Sequence, residues 1–340
     1  MIQVNSRELG GFLERLFASV GLNCEHAAVM ADIYVETTKR DYGHHDINNL
    51  PSRVQAIEAE KVNINPKFEK LAAFGAMEQW DGDNGLGEII NTFSMQRAID
   101  LASEYGLGFC TVRNSNHYLC SAPYVMQAAK QGYLGLIIAK GVPTMGVPGC
   151  RGNVVGQSPL GYAFPSAEQW PVMLDICLAY ASGEQLVQKA KQKEAVPQWW
   201  GVDSDGNPTN DAEAILKGTK FPIGGHKGFG LALLCELLTG VMSGGLILDE
   251  NQEEEGMTAR STSHTALAIK ADALMPMAEY KYRSSRLIER IKKRSPEVRI
   301  PGQRSWEKKQ KFEEDNVIVL TEEIYTKLNE YGMKYGSGRL

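Results

Sequence analysis

Leu9, Phe12, Leu13, Leu16, Phe17 and Val20 recur at the three- and four-residue spacing of a single helical face. Asn5 and Glu8 stand at capping-box spacing ahead of this run and Gly21 closes it, so the pattern predicts a helix between them. A second helix is predicted from Glu25 to near Arg40. A third, short one follows Leu50-Pro51, where Pro suits the first turn and Val54 and Ile57 face inward. The loop DYGHHDINN separates these two. From Phe68 onward the period changes to short apolar runs punctuated by Gly and Pro. These predict strands near Gly108 to Val112, Tyr133 to Ala139, Leu160 to Phe164, Val172 to Ile176 and Thr265 to Ala271. Between them, helices are predicted near Glu88 to Tyr105, Ala122 to Gln131 and Gly228 to Met242. DENQEEEG, after Leu248, reads as a solvated loop. AEYKYRSSRLIERIKKR reads as a charged helix with a narrow apolar face of Tyr282, Leu287, Ile288 and Ile291.

Composition narrows the class. The chain has 340 residues, 43% of them hydrophobic, enough for a sizeable core and, at roughly 150 residues per domain, for about two domains. With 36 Lys+Arg against 41 Asp+Glu, the balance disfavours a nucleic-acid partner, whose phosphates need clustered cations. Arg7 and Glu8 interrupt any secretory leader, and FGLALLCELLTGVM, broken by Glu236, falls short of the roughly 20 apolar residues of a membrane span. A cytoplasmic protein without membrane contact is expected. Six scattered cysteines with no CxxC read as small apolar side chains, not disulfide partners.

Several chemistries lack their motif. GxGxxG fails at Gly85-Leu86-Gly87, where Ile90 takes the third Gly position, and at Gly228-Phe229-Gly230, where Leu233 does. No phosphate loop, HExxH helix or GxSxG elbow occurs, and Pro208 replaces the Gly that a calcium loop at Asp203, Asp205 and Asn207 would need. Five of six histidines, His44, His45, His117, His226 and His264, fall in stretches read as loops, where a scaffold places proton-transfer groups. A metal at His44, His45 and Asp46 is disfavoured, because adjacent side chains of an extended loop point to opposite sides.

The segments GHHDINNLPSRV, RNSNHY, GQSPLGYAFP, MLDI, DSDGNPTND, PIGGHKGFGLAL and VRIPGQ, in this order and spacing, resemble the type-2 malate/L-lactate dehydrogenase family. That family includes ureidoglycolate dehydrogenase, diketogulonate reductase, sulfolactate dehydrogenase and piperideine-carboxylate reductase. The resemblance covers essentially the whole chain. It implies an α/β fold: a non-Rossmann nicotinamide-binding domain with a mixed sheet at 76–274, a helical domain from both chain ends at 1–75 and 275–340, and a homodimer. It also implies NAD or NADP as cofactor and a small carboxylate as substrate. The family's SHGVxRLP is here His44-His45-Asp46-Ile47-Asn48-Asn49-Leu50-Pro51, so Asn49 replaces the Arg that helps hold the substrate carboxylate. SNHFG has Leu119 for its Gly, GTNP is Gly156-Gln157-Ser158-Pro159, and DMATS begins at Asp175.

By the same resemblance, His45 and His117 are the acid/base candidates. The cofactor would run along Val172, Met173, Leu174, Asp175, Ile176 and Cys177, with His226 and Lys227 beside it and Gly302, Gln303 and Arg304 near its other end. Lys140 and Arg260 are the cations that could replace the missing Arg at position 49, with Asn49 as an uncharged contact. The expected reaction is hydride transfer between nicotinamide and a 2-oxo/2-hydroxy acid other than malate or lactate. The rival readings are a cyclic-imine carboxylate reductase of the same fold, a metal-dependent hydrolase using His44, His45 and Asp46, and a non-catalytic relative.

Overall fold

Asn5 ends strand β1 (Ile2–Asn5) and caps helix α1 (Ser6–Ser19) in the computed structural model, which describes residues 1–150, 152–168, 170–248, 250 and 262–340. Its side chain accepts the Arg7 and Glu8 N–H groups at 2.9 and 3.3 Å, satisfying two of the donors a helix start leaves open. α2 (Cys24–Lys39) and α3 (Leu50–Glu58) form where the apolar spacing places them. Two 3₁₀ turns, Gly43–His45 and Ile47–Asn49, fill the loop between.

Next come β2 (Glu69–Phe74), β3 (Met77–Asp81), α4 (Gly87–Tyr105), β4 (Leu107–Ser115), α5 (Ala122–Lys130), β5 (Tyr133–Lys140), β6 (Leu160–Phe164) and β7 (Val172–Ile176). After α6 (Gly183–Gln192), β8 (Gly201–Val202), α7 (Ala212–Lys217) and β9 (Thr219–Lys220), α8 (His226–Glu236) leads into a π-helical stretch, Leu237–Val241. β10 (Thr262–Lys270), α9 (Met277–Arg294), α10 (Gln303–Asp315), β11 (Val317–Leu320) and α11 (Glu322–Tyr335) complete the order.

The central sheet is mixed, with strand order β2-β3-β4-β10-β5-β6-β7; β3 and β4 run parallel and the remaining neighbours antiparallel. α4 and α5 cover one face. A Cβ at Gly108 would stand 1.9 Å from the Ala98 carbonyl oxygen, so α4 lies on β4 as closely as glycine allows. Alternation along β5 and β10 turns Lys140 and Thr265 to the other face, where α8 and the π-helical stretch pack. One buried cluster continues from Leu9, Phe12 and Leu16 through Ile90 and Ile137 to Ala266 and Leu328.

Several expectations are corrected. β2 is largely exposed and shows no apolar alternation, so the sequence did not mark it, yet it pairs with β3 in the central sheet and takes residues 69–74 out of the helical N-terminal part. His264 lies within β10 and not in a loop. The DENQEEEG segment falls outside the described residues except for Glu250. All six cysteines are free. Among the described residues no helix is long and apolar enough to cross a membrane.

Arg53, on the buried face of α3, donates to Glu88 Oε1 in the first turn of α4 from Nε at 3.0 Å and Nη2 at 2.7 Å. Both side chains are almost fully buried. Removing one partner strands a charge, so Arg53→Met should lower the unfolding free energy by about 3–5 kcal/mol. Arg53→Met combined with Glu88→Leu should recover most of that loss in denaturant titrations.

Candidate active site

The turn Gly43–His45 closes when the His45 N–H donates to the Tyr42 carbonyl, and Asp46 closes the next by accepting the Asn48 N–H at 3.0 Å and Nδ2 at 2.7 Å. An extended loop would throw His44 and His45 apart. The 3₁₀ turn instead sets their ring centroids 3.8 Å from each other. Asp46 is buried in its own turn, and that burial pushes its carboxyl up to about 6. Among the described residues, no group of three or more His, Cys, Asp or Glu side chains is placed to hold a metal.

His117 reaches the same place from the end of β4. Arg53 Nη2 donates to its carbonyl oxygen at 2.8 Å, and Gly87 must be glycine because a Cβ there would come within 2.4 Å of that oxygen. Leu119 adopts a left-handed φ of 65°, which turns its N–H toward His117 Nδ1 at 3.3 Å. Nδ1 is therefore the acceptor, and the neutral ring carries its proton on Nε2. The His45 and His117 rings stack at 5.3 Å with an interplanar angle of 24°. Burial pushes His45 down to about 4 and His44 below the usual imidazole range. The protein wall around the ring and the Arg53 charge lower His117 as well, though its edge still reaches solvent.

These rings line a cavity of about 430 Å³ that also touches Lys140, Gln157, Asp175 and Cys177. Asp175, near the end of β7, accepts the Ala122 N–H at 3.0 Å, and its burial raises the carboxyl above its usual range. Gln157 Oε1 and His45 Nδ1 are buried without a hydrogen-bond partner. Lys140 does not snorkel to water as a strand-end lysine would. It is 1% exposed, donates to the Leu246 carbonyl at 2.6 Å and stands 3.6 Å from Glu236 Oε1. Asn49 sits in the turn after His45 and is not among the cavity's lining residues. Arg260 lies outside the described residues.

A second cavity, of about 530 Å³, adjoins the first at Tyr42 and Asp175 and brings Met173 and Leu174 together with Gly302 and Arg304. The Met173 N–H donates to the Pro301 carbonyl at 3.1 Å, and a Cβ on Gly302 would crowd Met173 at 3.0 Å. Val172 is buried beneath, whereas Ile176 and Cys177 face the histidine cavity. Gln303 turns inward on its own helix start, accepting the Ile300 N–H. His226 and Lys227 open α8 and are exposed. Their loop docks on the segment after β7 through Ile223 N–H to Leu178 O at 2.8 Å, but neither side chain lines either cavity.

Sequence reasoning missed Arg53 and Glu88 and gave His264 a loop instead of a buried strand position. Arg53 shares the face of Leu50, Val54 and Ile57, and a cation on an apolar stripe was the available signal. His264 is fully buried, bonds the Asn116 carbonyl through Nε2 at 3.0 Å and meets Tyr118 edge-on at 4.9 Å, so it supports the His117 segment from below.

The fold of this chain is shared with solved dehydrogenase structures. The family model described as malate/L-lactate dehydrogenase matches residues 4–329. A malate dehydrogenase of Pyrococcus horikoshii is 30% identical over 302 residues, covering 86% of this chain and 82% of its own. A 2,3-diketo-L-gulonate reductase of Citrobacter koseri is 27% identical over 312 residues, covering 88% and 92%. The solved structure of sulfolactate dehydrogenase from Methanocaldococcus jannaschii superposes with a TM-score of 0.89 at 26% identity, covering 99% of this chain and 98% of that one. The protein is an oxidoreductase, and it belongs to the malate/L-lactate dehydrogenase family.

Burial holds His264 down to about 4 from an ordinary 6.5. The unfolded chain therefore takes up this proton first as pH falls, so the stability His264 contributes is complete above pH 6.5, declines toward pH 4 and then levels. The difference of about 2.5 units corresponds to about 3 kcal/mol. Unfolding measured from pH 7 to 4 should lose stability less steeply in His264→Gln than in the parent chain, because the lowered His45 and His117 keep their own share of the slope in both.

Proposed function

We propose that the protein is an NAD- or NADP-dependent reductase of a small 2-oxo acid, acting reversibly on the 2-hydroxy acid, through a nicotinamide-binding unit of the non-Rossmann kind. The observation that carries this is the stacking of His45 on His117 at the mouth of a cavity that continues along β7 to Gly302 and Arg304. Gln157 Oε1 and His45 Nδ1, buried and unpartnered, suit a ligand that brings its own hydrogen-bond donor, as a carboxamide-bearing ring does. When bound, the nicotinamide supplies or accepts the hydride.

The chain's own part is proton management and anchoring. His117, its Nδ1 occupied by the Leu119 N–H, presents Nε2–H as the donor to the forming alkoxide and recovers that proton from water, and His45 packs against its ring to hold it there. Asp175, fixed by the Ala122 N–H, stands where the two cavities meet. Among the described residues Lys140 is the one Lys or Arg lining the histidine cavity; its ammonium, near Glu236, is proposed with Arg260 to take over the carboxylate from the Arg absent at position 49. That exchange supports a substrate other than malate or lactate. A homodimer is supported by the exposed row Leu231, Leu234, Leu237 and Val241 along α8 and the π-helical stretch, each 45–52% exposed, an apolar strip a second copy would cover.

Titration with NADH and NADPH should quench protein fluorescence with at least one of them; no response to either at millimolar concentration would sink the reading. His117→Ala should lower turnover on the true substrate by about 10²- to 10⁴-fold with little change in cofactor affinity. If the loss appears only in His45→Ala, the two roles are exchanged, and near-normal turnover in both would refute proton transfer by either.

Lys140→Ala tests the anchor separately. Its Michaelis constant for the acid should rise at least tenfold, about 1.4 kcal/mol, with the constant for the cofactor held.

A further inference from the structure

The second cavity is electrostatically one-sided. Arg40, Arg299, Arg304 and Lys308 line it, with Asp41 and Asp175 as the acids. Both acids are already engaged: Asp41 is paired with Lys308, and Asp175 accepts the Ala122 N–H at 3.0 Å. Among the described residues Arg299 and Arg304 have no ion-pair partner. Arg40 is only 3% exposed, gives Nε to Glu36 at 2.8 Å and Nη1 to Ser305 at 3.4 Å, and leaves Nη2 unpartnered. Beside it, the 13-residue helix α10 starts at Gly302 with no side-chain cap, so its first N–H groups add positive potential on the side where Gly302 and Ser305 line the cavity.

A buried, incompletely satisfied guanidinium, two unpaired guanidinium groups at the rim and an uncapped helix start are the partners of a dianion. The position within the site says which one. Tyr42 and Asp175 belong to both cavities, so a dinucleotide with its nicotinamide beside His45 and His117 would carry its adenosine ribose toward Arg299 and Arg304. In dinucleotide sites a free carboxylate reads the ribose 2′-hydroxyl of NAD, while an Arg accommodates the 2′-phosphate of NADP. Here no lining carboxylate is free to do the former.

Resting on the dinucleotide reading above, we infer that this cavity is a phosphate-monoester subsite and that the protein selects NADPH over NADH. Arg299 and Arg304 grip the phosphate from the rim, and Arg40 supplies fixed charge from below. The planar, always-charged guanidinium suits a phosphate dianion better than an ammonium does.

The experiment compares kcat/KM for NADPH and NADH, and the binding of 2′,5′-ADP against 5′-AMP by calorimetry, in the parent chain and in the double variant Arg299→Gln with Arg304→Gln. The parent should favour NADPH and 2′,5′-ADP by tenfold or more, and the double variant should lose most of that ratio. Lys293→Gln, removing a charge from exposed α9, should leave the ratio intact. Equal use of both dinucleotides by the parent, or a ratio unmoved in the double variant, would overturn the inference while leaving the reductase reading standing. Binding of neither dinucleotide would overturn both.

Discussion

The contact between Arg53 and Glu88 fixes more of this molecule than its two side chains. Arg53 lies on α3, the helix that follows the two turns of the histidine loop, and Glu88 opens the longest helix on the sheet. Their pairing ties the segment carrying His45 to the one carrying His117, since the same guanidinium also holds the His117 carbonyl. Two charges taken out of water gain little net stability. What they supply is registry: a guanidinium whose donors point in fixed directions leaves the two rings one way to meet. Burial pushes the Glu88 carboxyl up and Arg53 pulls it back, a balance that holds only while both remain enclosed.

Much of the fold was readable because period and burial coincide. Leu9, Phe12, Leu13 and Leu16 are fully buried on one face of α1, and β6 and β7 begin and end where the apolar runs do. β2 escaped because its side chains are mostly exposed and nothing in their order marks a face. Of the site, the separate loops were readable but their convergence was not. His45 and His117 are 72 positions apart, and the 3₁₀ turn that swings His44 beside His45 is closed by the His45 N–H on the Tyr42 carbonyl, which no apolar period reports.

Two of the departures from the family pattern fall at strained backbone. Leu119, where the pattern has Gly, and Ser158, where it has Asn, both hold positive φ, at 65° and 44°. Residues with a Cβ resist that region, and each costs of order 1–3 kcal/mol unless its surroundings over-determine it. Leu119 is buried against the cavity wall, and Ser158 is sealed completely with its hydroxyl on the Gly156 carbonyl. The chain has changed side chains here while keeping the turns, and at Leu119 the reward is the N–H that sets the tautomer of His117.

β1 and β11 have a consequence for how the chain is made. Ile2 pairs with Leu320 and Asn5 with Val317, and Ser6 bonds Asn316 through both backbone and side chain. A strand therefore pairs with one more than 300 residues further along the chain, and local helices must form well before the two can meet. Until that pairing forms, Ile2–Asn5 is an open strand edge, and the α1 face that meets α11 is uncovered. The pairing of β1 with β11 is consequently among the last contacts the folding chain can make.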